Sequence, residues 1–252
     1  MRSETGRAPF LPMLYREFLL LKKNILSNSL IVIISYAICL MFSLSAVYGN
    51  IAKSDNDICL ALKGAIPATR IMGVVMSFML FVGASDISAD INSKAWHLFR
   101  KSAPVRPLKM AFAKYTMMFL ALAASVIVAL LYNAADRMIY QEFSDYTYFG
   151  LVFAVGAVLS VFTVLNTSMT FFFGSSDKGG LISTIGSMII IMPYMMKKLK
   201  TMEGQKSMDP FEMIASVAGF CNRNVLWFVL IIVLAFIIGL LVMTWCYKRR
   251  DK

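Results

Sequence analysis

The chain has 252 residues, of which 59% are apolar and only 15% charged, with a net charge of +11. A soluble domain carries about 25% charged residues; here the charges gather in short blocks between long uncharged runs, which excludes a water-soluble globular fold and points to spans in hydrocarbon. The basic excess flanks apolar runs and forms no aromatic-interleaved face, so the expected partner is anionic membrane lipid, with no nucleic acid.

Residues 1–29 form a basic leader in which Leu11, Leu14, Phe18, Leu21 and Ile25 recur at helical spacing, with Arg16 and Lys23 away from that stripe. The pattern predicts an amphipathic helix lying on the inner leaflet; the alternative is a solvated leader that only sets topology. The first long apolar run is long enough to span and is expected to stay, not to be cleaved as a signal peptide. The predicted fold class is all-α, a polytopic six-helix membrane domain over 30–247, with spans at about 30–49, 67–85, 115–133, 147–174, 179–196 and 225–247. Each is near the ~20 residues that a crossing needs. The second reaches that length only if it starts at Pro67, with Arg70 snorkelling outward.

Between the second and third spans, residues 86–114 place Ile91, Ala95, Leu98 and Phe99 at helical spacing beside Trp96 and His97, before Arg100, Lys101 and Pro104 end the run. A loop helix bathed only in water needs no apolar stripe. It therefore needs a partner surface, which is the membrane, another protein or the bundle itself. The last outer loop, 197–224, contains Asp209-Pro210-Phe211-Glu212, which reads as a capping box with proline in the first turn and predicts a short outer helix.

Orientation follows from basic residues. Sixteen lie in the leader, the 86–114 loop, the turn at Lys178 and the tail; eight lie in the opposite loops. With an even number of spans, both chain ends are expected in the cytoplasm. Cys59 and Cys221 then both face outside, where a disulfide is permitted by compartment, while Cys39 and Cys246 read as packing residues.

No phosphate loop, H-E-x-x-H or G-x-S-x-G occurs, so the chain is not expected to be an enzyme, to bind a cofactor of its own or to hold a metal. His97, the single histidine, reads as an ordinary interfacial residue. Asn166, Thr167, Ser168 and Thr170 in the fourth span are read first as interhelical hydrogen bonders and second as substrate contacts. A chain of many spans with no energy source takes its energy from a partner.

In layout the chain resembles the permease subunit of an ABC-2-type exporter. The family-like residues are Asp90, Leu98, Ala103-Pro104-Val105-Arg106 and Lys114, similar to that family's acidic residue, leucine, proline-x-arginine turn and lysine; Trp96-His97 depart from its small-residue stretch. Short loops make it most similar to small bacterial peptide exporters, of the phenol-soluble modulin and lantibiotic-immunity kinds. The resemblance implies a bacterial plasma-membrane location. It also implies a coupling helix (Ile91, Ala95, Trp96, Leu98, Phe99, Arg100, Lys101) docked on a separate ABC ATPase subunit that binds ATP and Mg. Two permeases, a second copy or a paralogue, would join two ATPases. Spans two and five would line the path through Met72, Met76, Met79 and Gly83, and through Gly186, Met188 and Met192. The expected function is ATP-driven export of an amphipathic substrate such as a short peptide. The alternatives are export of a drug, antibiotic or lipid by the same machine, or a non-transporting anchor or sensor subunit.

Overall fold

The computed structural model describes residues 10–49, 68–85, 107–139, 148–173 and 210–250. Every regular element among them is a helix: α1 (Phe10–Tyr48), α2 (Ala68–Ala84), α3 (Pro107–Ile139), α4 (Phe149–Phe173), α5 (Pro210–Arg223) and α6 (Val225–Arg250). Proline opens α3 and α5, at the position where a missing N–H removes nothing from the helix. Hydroxyls within the apolar helices donate to the carbonyl one turn back, as in Ser29 to Ile25, Thr116 to Phe112, Ser160 to Gly156 and Thr244 to Leu240. This keeps them satisfied without water.

Four helices, α1, α3, α4 and α6, are long and apolar enough to cross a membrane, and α2 is a shorter apolar helix. Their outer surfaces carry Leu26, Ile33, Ile38, Met41, Leu131, Leu226 and Leu241, whereas Glu17, Ser43, Arg70, Ser77, Lys114, Ser125 and Asp136 are buried. That distribution inverts the soluble rule and is what a lipid solvent selects.

Helix α3 lies among α1, α2, α4 and α6, and α4 makes its most extensive contact with α6. Phe78, Phe81, Met118 and Met243 are fully enclosed at the centre. Paired residues give the directions. Phe10 meets Phe112, Glu17 meets Lys114 and Ser43 meets Asp136, so α1 and α3 run the same way. Arg70 meets Asp136 while Phe81 meets Ser125, so α2 runs against them. Gly150 meets Asn222 and Phe172 meets Trp245, so α4 and α6 share a direction. Tyr148, at the start of α4, touches Arg70, so that direction is opposite to α3.

Several sequence expectations change here. The described part of the leader, from Phe10, continues into the first span as one 39-residue helix with no break at 29/30. Its buried face is Glu17, Leu21, Val32, Cys39, Ser43 and Ala46, while Leu11 and Phe18 of the predicted apolar stripe point away from the bundle. Residues 107–114 of the expected loop 86–114 belong to α3, as do 134–139 beyond the expected end of span three. The coupling residues Ile91, Ala95, Trp96, Leu98, Phe99, Arg100 and Lys101, the path residues Gly186, Met188 and Met192, and Cys59 lie outside the described residues.

Candidate functional site

The chemistry among the described residues is a polar seam where α1, α2 and α3 meet. Helix α1 supplies one side of it. Glu17, Asn24, Asn28, Tyr36, Cys39 and Ser43 recur every three to eight residues along a single face, so turning that face inward sets a row of polar groups against the other two helices.

At one end Glu17 is held twice. Arg16 donates to its Oε1 at 2.6 Å, and Lys114 Nζ of α3 stands 4.0 Å from Oε2. Midway, Asn28 Nδ2 donates to the Met79 carbonyl at 2.9 Å. The Tyr36 hydroxyl pairs with Ser77 Oγ and donates to the Val128 carbonyl at 3.1 Å. Ser77 Oγ, which donates to the Tyr36 hydroxyl when that hydroxyl donates to Val128, also lies 2.9 Å from the Gly73 carbonyl.

At the opposite end Arg70 Nε donates to Asp136 Oδ2 at 2.5 Å, both side chains almost wholly enclosed. Ser43 Oγ of α1 lies 3.5 Å from the other carboxylate oxygen, and the Arg70 guanidinium sits 4.8 Å from the Tyr148 ring centre. Side chains from α1, α2 and α3 and Tyr148 just before α4 therefore converge on one ion pair. Arg70 does not snorkel outward, contrary to the expectation from its sequence context. Asp136, read from the sequence as part of an outer loop, stands in α3 within reach, and a charge with an ionic partner and an aromatic face can stay inside. The signal that could have shown this was the pairing of one cation and one anion at the same expected depth of adjacent spans.

The path residues of α2 divide. Met72 is half-exposed on the outer surface, and Met76 and Met79 are partly covered. Gly83 is buried, and a methyl there would collide with the Asn28 side chain. It is a point of close approach between α1 and α2. Gly73 plays the same part beneath the Tyr132 ring, which itself stacks on Tyr36 with centroids 4.7 Å apart. On α4, Ser160, Thr163, Thr167 and Thr170 form a buried hydroxyl face. Of the four residues singled out by sequence there, Thr170 Oγ1 reaches Asn166 Oδ1 at 3.5 Å, and Ser168 Oγ is enclosed with no hydrogen-bond partner among the described residues.

Helix α5 is tied to the start of α4, where Gly150 N–H donates to Asn222 Oδ1 at 2.6 Å. Asn222 thus caps a helix to which it does not belong, satisfying one of the free amides of the first turn. Asn224 links α5 to α6: its side chain donates to the Phe220 carbonyl, and its own carbonyl accepts from Phe228 N–H. Among the described residues no group of three histidine, cysteine, aspartate or glutamate side chains is placed to hold a metal ion.

These features define an all-α membrane protein with a polar interior. No protein-family model, curated protein or solved structure matches the chain.

Proposed function

We propose that this chain is the permease subunit of an ABC-2-type exporter, with six spans and both ends in the cytoplasm. A separate ATPase subunit hydrolyses ATP, and the substrate is amphipathic, such as a short peptide. The observation that carries the reading is the alternation of helix directions. The starts of α1 and α3 and the ends of α4 and α6 share one end of the bundle. That end bears Arg16, Lys22, Lys23, Lys109 and Lys114, and α6 finishes there in Lys248-Arg249-Arg250. Basic residues retained on one side mark the cytoplasm. The parallel course of α4 and α6 requires an odd number of crossings between them, which supports the uncharged run at 179–196 as the fifth span. The 86–106 segment, which joins α2 to α3, then lies on the basic side, where an ATPase could reach it.

The test uses the tagged full-length chain purified from native membranes in mild detergent. An ATPase subunit should accompany it in equal amount, and its hydrolysis should respond to substrate in liposomes. Leu98→Asp should remove the ATPase while leaving membrane level and monodispersity unchanged, because burying an unpaired charge in an apolar contact costs several kcal/mol. A chain that purifies without any ATPase, or a Leu98→Asp protein that keeps it, would sink the reading.

A further inference from the structure

We propose that α2 is hinged at Phe78, and that Ser125 of α3 and Asn28 of α1 form the catch that holds its bent state. The proposal goes beyond the transport reading and does not depend on what the chain carries or on what docks at 86–106.

Three observations carry it. First, the backbone of α2 breaks in the middle of an apolar helix. Phe78 has φ −81° and ψ 0°, a turn geometry, and its N–H closes a tight bond to the Val75 carbonyl at 3.1 Å. Second, no glycine or proline lies between Val74 and Val82, so the break does not come from the residues usually responsible. It comes from neighbours inserted into the hydrogen-bond ladder. The Phe81 N–H, which an unbroken helix would aim at the Ser77 carbonyl, donates to Ser125 Oγ at 3.1 Å. The Met79 carbonyl accepts from Asn28 at 2.9 Å. Third, Phe78 is fully enclosed, its ring beside Gly156 of α4 and its backbone restarting the helix through Val82 N–H at 3.0 Å. A large side chain wedged at the break is a fixed pivot for the segment beyond it.

In hydrocarbon an amide cannot be left without an acceptor, and this amide has two. In the bent state its acceptor is Ser125. In a straight state it is Ser77, and Ser125 then needs no outside partner, since its hydroxyl can donate to Ala121 one turn back as four other hydroxyls of this bundle do. An amide with two alternative acceptors makes a two-state element rather than a continuously flexible one. Mid-helix 3₁₀ closures are a known place for such hinges. The part that swings is short, Met79–Ala84.

The experiment is pulsed electron–electron distance measurement on the full-length chain in nanodiscs. Nitroxides are placed at Ser85 and Met138 to report the swinging segment, and at Met72 and Leu108 to report the part before the pivot. Ser125→Ala removes the bent-state acceptor and costs the helix nothing, so α3 should still fold. Residue 85 should be displaced by about 4 Å, as expected of a ~20–30° change acting over some seven residues, and because the label pair lies mainly along the bundle axis the 85–138 distance should shift by about 1–2 Å. The 72–108 distance should stay. Asn28→Ala, which removes the other half of the catch, should move the 85–138 distance in the same direction. Unchanged 85–138 distances in both variants mean a static kink and overturn the proposal. A shift of equal size in both label pairs means that the whole bundle has rearranged, and overturns it equally.

Discussion

Arg70 and Asp136 are the residues whose removal should be felt most. Both side chains are enclosed away from water, and breaking a buried pair from one side typically costs about 3–5 kcal/mol. Asp136→Ala should therefore lower the unfolding midpoint in detergent sharply, and Arg70→Ala nearly as much. Removing both charges together, as Arg70→Met with Asp136→Leu, should restore most of the loss, since apolar replacement of a buried pair is often neutral or better. A double variant as unstable as either single one would show that the pair acts through something other than its charges. The ion pair at the other end of the seam is different. Glu17 keeps Arg16 at 2.6 Å when Lys114, at 4.0 Å, is removed. Lys114→Ala should accordingly cost less than Asp136→Ala, because the carboxylate keeps an ionic partner, while the emptied site of a buried side chain still makes the change destabilising.

Between helices, the contacts that set spacing are small residues facing large ones. The Tyr132 ring lies on Gly73 and is backed by Tyr36, so it has nowhere to retreat. Gly73→Ala should force α2 away from α3 and destabilise the bundle by about 1–3 kcal/mol, the usual cost of overpacking. Gly219 in α5 offers the opposite case, with nothing within 4 Å of an added methyl. Gly219→Ala should stabilise by about 0.5–1 kcal/mol through helix propensity alone. Thermal unfolding of the two variants side by side checks both signs. The same contrast explains what sequence could and could not give. The long uncharged runs announced α1, α3, α4 and α6 because hydrophobicity over some 20 residues is a local property. The ends of α3 fall beyond those expected wherever a charge reads as a loop residue: Lys114 and Asp136 sit inside α3 because each meets an opposite charge on another helix. The leader's apolar stripe reads as a membrane-surface face, while the inward face of α1 mixes Glu17 and Ser43 with Leu21, Val32, Cys39 and Ala46. The bend in α2 left no sequence signal, because its cause, Ser125, lies 44 residues away.

For the molecule as a whole, the contacts that order the helices also constrain how it sits in the membrane. Glu17 with Lys114 marks one end of the bundle and Arg70 with Asp136 the other. Helices α1 and α3 run from the first end to the second, and α4 and α6 run back. Whichever way the bundle is inserted, Leu11 and Lys248 must share one side of the membrane, and Arg137 and Phe220 must share the other. The distribution of lysine and arginine chooses between the two possibilities, since basic residues next to spans are held on the cytoplasmic side. Single cysteines at Leu11, Lys248, Arg137 and Phe220, in a background with Cys39, Cys59, Cys221 and Cys246 replaced, test both statements with one membrane-impermeant thiol reagent. All four positions are exposed, so an unlabelled site reports its side of the membrane and not burial. Intact cells should label 137 and 220 but neither 11 nor 248, and permeabilised cells should label all four. The reverse pattern would keep the helix directions and invert the orientation, removing the 86–106 segment from any cytoplasmic ATPase. Labelling that splits 11 from 248, or 137 from 220, would contradict the packing itself, because no single insertion could then satisfy the ion pairs at both ends.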